Sequence, residues 1–177
     1  MTSFALPFAS APARPGFDIG PLTRSLVALA AISMTFVCLL ALGRAAMGMA
    51  GDLGPYTKLP VIVHVAAVLP AVPLGGYLLV ARKGDARHRL LGKVWLVLML
   101  VTATSAIFIK TSGSFSWIHL FVPLTFHAAW QTIATARRGD IAGHKRHLVR
   151  TYLLALMIPG IAAILVPDRL MNVMLFG

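Results

Sequence analysis

LPVIVHVAAVLPAVPLGGYLLV, residues 59–80, contains no Asp, Glu, Lys or Arg, and ARKGDARHR, residues 81–89, follows it at once. A helix crosses the hydrocarbon of a bilayer in roughly 20 residues, with about 17 as the practical minimum. The abrupt switch from apolar to basic is therefore that of a membrane span leaving lipid for water. Comparable runs occur at Leu22–Leu42, Val94–Ile109, Trp117–Thr135 and Leu148–Val166. Lipid offers no partner to backbone N–H and C=O groups, so a span is either a helix or part of a closed barrel. These runs are continuously apolar and lack the alternation of a barrel strand. The expected fold is all-α: a polytopic membrane helix bundle of about five transmembrane helices. The third run is the shortest, and Lys110 at its end is expected to snorkel to the interface.

Working outward from these runs, composition agrees. The chain is 58% hydrophobic and only 12% charged, too few polar residues to cover a soluble domain of 177 residues. The formal net charge of +11 would suit a nucleic-acid binder. Its placement does not, because the cations lie in short segments between apolar runs and not along one face of a soluble element. No nucleic-acid partner is expected. The single cysteine, Cys38, lies inside the first run, which excludes an intrachain disulfide.

Lys and Arg set the expected orientation. Arg82, Lys83, Arg87, Arg89 and Lys93 follow the second run, and Arg137, Arg138, Lys145, Arg146 and Arg150 follow the fourth. Arg14 and Arg24 precede or open the first, whereas the other side holds only Arg44, Lys58, Lys110 and Arg169. The positive-inside rule puts the N-terminus in the cytoplasm and the C-terminus outside. Tyr56 and Trp117 are expected at the outer interface, Trp95 and Tyr152 at the inner one. Residues 1–21, rich in Pro, Ala and Ser, read as a disordered cytoplasmic tail. Residues 22–166 form the transmembrane domain, and 167–177 a short tail lying along the outer surface. Met47-Gly48-Met49-Ala50 loosely resembles a signal cleavage site, but the apolar stretch before it is too long for a signal peptide.

An offset of fifty-five residues carries Ala81-Arg82-Lys83-Gly84-Asp85 onto Ala136-Arg137-Arg138-Gly139-Asp140, and His64 onto His119. With one inserted residue His88-Arg89 aligns with His144-Lys145, and an aromatic follows in each case, Trp95 and Tyr152. Such self-similarity predicts a tandem two-helix repeat, units about 59–110 and 114–166, related by a pseudo-twofold axis along the membrane normal. Convergence on basic turns with a Gly-Asp pair explains the cations equally well but leaves the histidine pairing without a cause.

That axis would bring His64 and His119 together near the outer surface, and His88 and His144 near the inner one. Facing imidazoles can offer neutral ring nitrogens to the two axial positions of a haem iron, with nearby Arg and Lys available for its propionates. The plainer readings are polar loop surface for His88, His144 and His147, and interhelical hydrogen bonding for His64 and His119. An ionisable group within an apolar span is nonetheless a functional candidate by default. His127 has no repeat partner, since its equivalent is Val72, and is expected to pack, to hydrogen-bond, or to wall an internal cavity. Pro70, Pro73, Pro123 and Pro159 are expected to mark kinks.

This layout resembles the transmembrane diheme b-type cytochromes, in which one haem lies between the second and fourth helices and another between the third and fifth. The resemblance covers roughly Leu59 to Val166 and implies haem b held by His64 with His119 and by His88 with His144. It further implies electron transfer with a quinone or another membrane redox protein. His147 competes with His144 for the inner role, and Phe126 and Trp130 stand where the repeat mate has Ala71 and Gly75. The stretches His88-Arg89-Leu90-Leu91-Gly92-Lys93-Val94-Trp95, Ser116-Trp117-Ile118-His119-Leu120 and Arg138-Gly139-Asp140-Ile141-Ala142-Gly143-His144-Lys145 are similar to a bacterial family of predicted membrane proteins with no assigned function. That similarity implies a multi-pass protein of the bacterial inner membrane; the family departs at His147-Leu148, where it carries an aromatic or small residue and then Met.

Several classes lose support. There is no Glu, and all five Asp residues fall in loops or tails, so the midplane carboxylate of an ion-coupled transporter is missing. No Ser-His-Asp set, His-rich zinc cluster or Gly-rich phosphate loop occurs at usable spacing. Two readings stand: a haem-b electron carrier with no enzymatic chemistry of its own, or a non-catalytic subunit, assembly factor or anionic-lipid-binding protein.

Overall fold

The computed structural model describes residues 19–81, 84–110 and 116–177. Helix α1 spans Pro21–Ala46, and a 3-10 turn at Gly54–Tyr56 leads to α2, Leu59–Val80. Helix α3 is Ala86–Ile107; a 3-10 turn, Trp117–Leu120, runs into α4, Phe121–Arg137. Helix α5, Ile141–Leu165, is α-helical to Arg150, π-helical over Thr151–Met157 and α-helical again from Ile158. A short α6, Leu170–Phe176, closes the chain. The protein is a helical membrane bundle, with no strand among the described residues. Four helices, α1, α2, α3 and α5, are long and apolar enough to cross a membrane. The fourth expected span is a 17-residue α-helix extended by its 3-10 turn.

Two helices begin earlier than hydropathy suggested. Helix α3 starts at Ala86 rather than Val94, because the Asp85 carboxylate accepts a hydrogen bond from the His88 amide at 2.7 Å and caps the first turn. Helix α5 starts at Ile141 rather than Leu148, where Asp140 accepts from the Gly143 amide at 2.8 Å. His88, His144 and His147 are accordingly helical residues, not loop residues. A cap fixes the helix start whatever the polarity of the first turns, and hydropathy sees only polarity. Gly84 and Gly139, each just before its capping Asp, have φ of 92° and 70°, the left-handed region that glycine enters without steric cost. The two basic turns thus share one construction.

Helix α2 is the centre of the packing, lying against α1 on one side and α3 on the other. Helix α3 also packs on α4, and α4 on α5, whose π segment reaches both α2 and α4. The π segment sits just before Pro159, which lacks the N–H that would have bonded the Ala155 carbonyl; a widened turn is a common local answer. Helix α2 remains one helix through Pro70 and Pro73.

Toward the basic turns the core is solid. Trp95 and Tyr152 are 2% and 0% exposed, so they are core residues and not the interfacial aromatics the sequence suggested. Trp95 donates its indole N–H to the Ala71 carbonyl at 3.0 Å, and Tyr152 its hydroxyl to the Val72 carbonyl at 3.1 Å. Buried polar tips need such partners, and the adjacent Gly75-Gly76 pair makes room for them. A Cβ at Gly75 would lie 2.5 Å from the Trp95 indole nitrogen, and one at Gly76 would overlap Ala31 of α1. The residue matching Gly75 in α4 is Trp130, 61% exposed, and both aromatics hydrogen-bond to α2 carbonyls. On this point the two halves of the bundle are unlike.

The tail after Pro167 does not simply lie along a surface. Helix α6 folds back against α1, where Arg44 donates to the carbonyls of Met174 at 3.1 Å and Met49 at 2.7 Å, and the Gly51 amide donates to Val173 at 3.3 Å. The Asn172 side chain ties α6 to the Ile164 carbonyl at 2.8 Å. The expected N-terminal tail lies outside the described residues, apart from its last three.

Candidate functional site: a histidine-walled cavity

The half of the bundle away from the basic turns is hollow. A cavity of about 890 Å³ opens there, floored by Val72, Met99 and Leu156 directly above the Trp95–Tyr152 layer. Its walls come from α1 to α5, and α6 covers it with Leu170, Met171 and Met174. The volume falls in the range of sites that enclose a cofactor-sized ligand, roughly 300–1,000 Å³. Pro159 and Gly160, just beyond the π segment, form part of the wall.

His64 of α2 and His119, at the end of the 3-10 turn before α4, both line this cavity. The His64 ring is held by α3: its Nδ1 lies 3.0 Å from the Thr102 carbonyl and 3.3 Å from Ser105 Oγ. A carbonyl only accepts, and the Ser105 hydroxyl donates to the Val101 carbonyl at 2.7 Å, so the imidazole proton resides on Nδ1. Nε2 therefore carries a lone pair, the tautomer found in metal-ligating histidines with a carbonyl behind them.

His119 is fixed by Ser116. Its Nδ1 stands 3.1 Å from both the amide nitrogen and the carbonyl oxygen of Ser116. The amide can donate to a bare Nδ1, or a protonated Nδ1 can donate to the carbonyl; ligation through Nε2 would select the second. The Ser116 hydroxyl, 3.4 Å from the same nitrogen, also accepts from Arg169 at 3.3 Å.

The other histidines stand elsewhere. His144 Nδ1 lies 3.1 Å from the Thr132 carbonyl, stitching the start of α5 to α4. His88, in the first turn of α3, and His144 line neither this cavity nor the second one, a space of about 10 Å³ among Gly75, Leu78, Leu79, Trp95 and Leu148. His147 lies one turn beyond His144, and its carbonyl accepts from the Thr151 hydroxyl at 2.8 Å. His127 does not wall the cavity; it is exposed on α4, its ring 6.0 Å from that of Trp130. Phe126 and Trp130 also face outward. Among the described residues no group of three or more His, Cys, Asp or Glu is placed to hold a metal ion. A haem asks less, since its macrocycle leaves only the axial positions to the protein.

Sequence reading did not foresee the polar groups behind the two imidazoles. Thr102 and Ser105 could have been noticed as a polar pair one turn apart in the third run, and Ser116 by its three-residue spacing from His119. Nothing in the sequence signalled that Lys58, Lys110 and Arg169 would line one cavity.

Fold and cavity together define the class: a polytopic helical membrane protein with one large apolar cavity walled by two histidines. Residues 61–174, more than half of the chain, match the family model described as "Predicted membrane protein (DUF2306)", and the chain belongs to that family. No curated protein and no solved structure matches it.

Proposed function

We propose that this protein is a haem-b electron carrier of the membrane, with one haem in the large cavity between His64 and His119. The observation that carries the reading is that both imidazoles line a single cofactor-sized space, with the His64 ring tied by its Nδ1 to the Thr102 carbonyl. Bound there, haem would supply a one-electron couple. With both axial positions filled by histidine it would leave no open site, which favours electron transfer over oxygen chemistry.

The chain's own residues do the remainder. Thr102 and Ser105 orient His64, Ser116 orients His119, and Val72, Met99 and Leu156 keep the floor dry. Low polarity around a haem is one of the levers that sets its potential. The proposal is confined to the outer pair, because His64 and His119 line the large cavity and His88 and His144 do not. A single haem in the outer half suits exchange with a quinol in the bilayer or with a redox protein at the outer surface.

The test is a reduced-minus-oxidised absorption spectrum of protein purified from haem-replete cells. The expected result is a b-type spectrum at one haem per chain, abolished by His64→Ala or His119→Ala and retained in His88→Ala and His144→Ala. Colourless wild-type protein sinks the proposal. It would leave the non-catalytic reading, in which the exposed Arg87, Arg89, Arg137 and Arg138 meet anionic lipid.

A further inference from the structure

The cavity is apolar along its floor and walls but not at its far end. Lys58 immediately precedes α2, Lys110 follows the end of α3, and Arg169 immediately precedes α6; all three line the same cavity. The one carboxylate among the described lining residues is Asp168, accompanied by the Tyr56 phenol, whose hydroxyl donates to the Asp168 carbonyl at 2.9 Å. Three cations therefore face one anion around the end of a hydrophobic space. These three make up all but one of the Lys and Arg expected on this side of the bundle. The fourth is Arg44, which lies outside the cavity lining and holds α6.

From this juxtaposition we infer an acid-binding subsite: Lys58, Lys110 and Arg169 hold the carboxylates of the cavity's ligand, which enters apolar end first. The inference rests on the haem reading and deepens it. The ligand's carboxylates are then the haem propionates, directed away from the basic turns. Arg169 gives the subsite a link to the iron ligand, since it donates to Ser116 Oγ and Ser116 holds the His119 ring. Charge-assisted hydrogen bonds from Arg and Lys to carboxylates are the strong ones, and a water-poor wall strengthens them further. Binding would place the haem's polar edge at the outer mouth, where a soluble or membrane-bound partner can approach it.

The experiment titrates full-length apoprotein, in lipid nanodiscs, with haemin and separately with haemin dimethyl ester, whose carboxylates are masked. Both have the same iron and ring, so axial ligation is reported by the same Soret shift. The expected result is that the diester binds at least tenfold more weakly than haemin. In the triple variant Lys58→Gln, Lys110→Gln, Arg169→Gln the two should bind within about twofold of each other. Equal affinity in the wild type overturns the subsite and leaves the haem reading standing. A preference that survives in the triple variant overturns the assignment to these residues. Failure of both compounds to bind overturns the inference together with the haem reading beneath it. The comparison in the wild type is decisive even if the triple variant does not assemble.

Discussion

Gly75→Ala adds one methyl group at the point where the solid half of the bundle is tightest. The new Cβ would stand 2.5 Å from the Trp95 indole nitrogen and 2.7 Å and 2.8 Å from two carbons of the Tyr152 ring. Neither ring can withdraw freely, because each is anchored to an α2 carbonyl, Trp95 to Ala71 and Tyr152 to Val72. Forcing a methylene into a packed core costs about 1–3 kcal/mol, and losing one of the two hydrogen bonds adds about 1 kcal/mol. Against this, replacing a helical glycine by alanine gains up to about 1 kcal/mol from backbone propensity. The net expectation is destabilisation by about 1–3 kcal/mol. Gly92→Ala in α3 is the matched control, since a Cβ there meets nothing within 4 Å and only the favourable propensity term remains. Unfolding of both variants in mixed micelles of SDS and a mild detergent, followed by tryptophan fluorescence, reads the difference. Gly75→Ala as stable as wild type, or Gly92→Ala the more damaged of the two, would refute the packing account of the core around Trp95 and Tyr152.

Removing either helix cap should be felt at its own helix: Asp85→Ala and Asp140→Ala each cost about 1 kcal/mol in the same unfolding assay, whereas Asp52→Ala, outside any helix, costs less. Burial, aided by the neighbouring Asp168 carboxylate, raises the Tyr56 phenol above its ordinary value. A raised value means that the folded state holds the proton more tightly, so stability is intact at neutral pH and declines as pH climbs past 10 through the folded value. The difference between ultraviolet titrations of wild type and Tyr56→Phe should isolate one phenol ionising above the ordinary value, shifted down in Asp168→Asn; an unchanged midpoint in Asp168→Asn would remove the electrostatic part of that account. Reporter fusions at Gly84, Gly139 and Gly177 test orientation, with the first two expected in the cytoplasm and the last outside; Gly84 and Gly177 on one side would remove the expectation of five spans.

The class of this protein was legible in its sequence because insertion in lipid is a local property. A run without charges and long enough to cross hydrocarbon must satisfy its own backbone, whatever its neighbours do, and the stretch from Leu59 to Val80 becomes α2 without a residue's difference. The helix starts at Ala86 and Ile141 were written locally too, in Asp85 and Asp140, but in a capping signal that hydropathy does not register. The matched spacing of His64 and His119 marked two residues that the folded chain places on one cavity. What the sequence left open was which half of the bundle would be filled. Trp95 and Tyr152 look like interfacial aromatics until α2 offers two glycines and two carbonyls at the right height, and α4, with Trp130 in the corresponding place, does not. Helix α6 likewise gives no sign in its short apolar run that Arg44, far away in the chain, will hold it over the cavity. Packing and emptiness depend on how residues distant in sequence fit one another, so only the tertiary structure could place a solid core at one end and a histidine-walled space at the other.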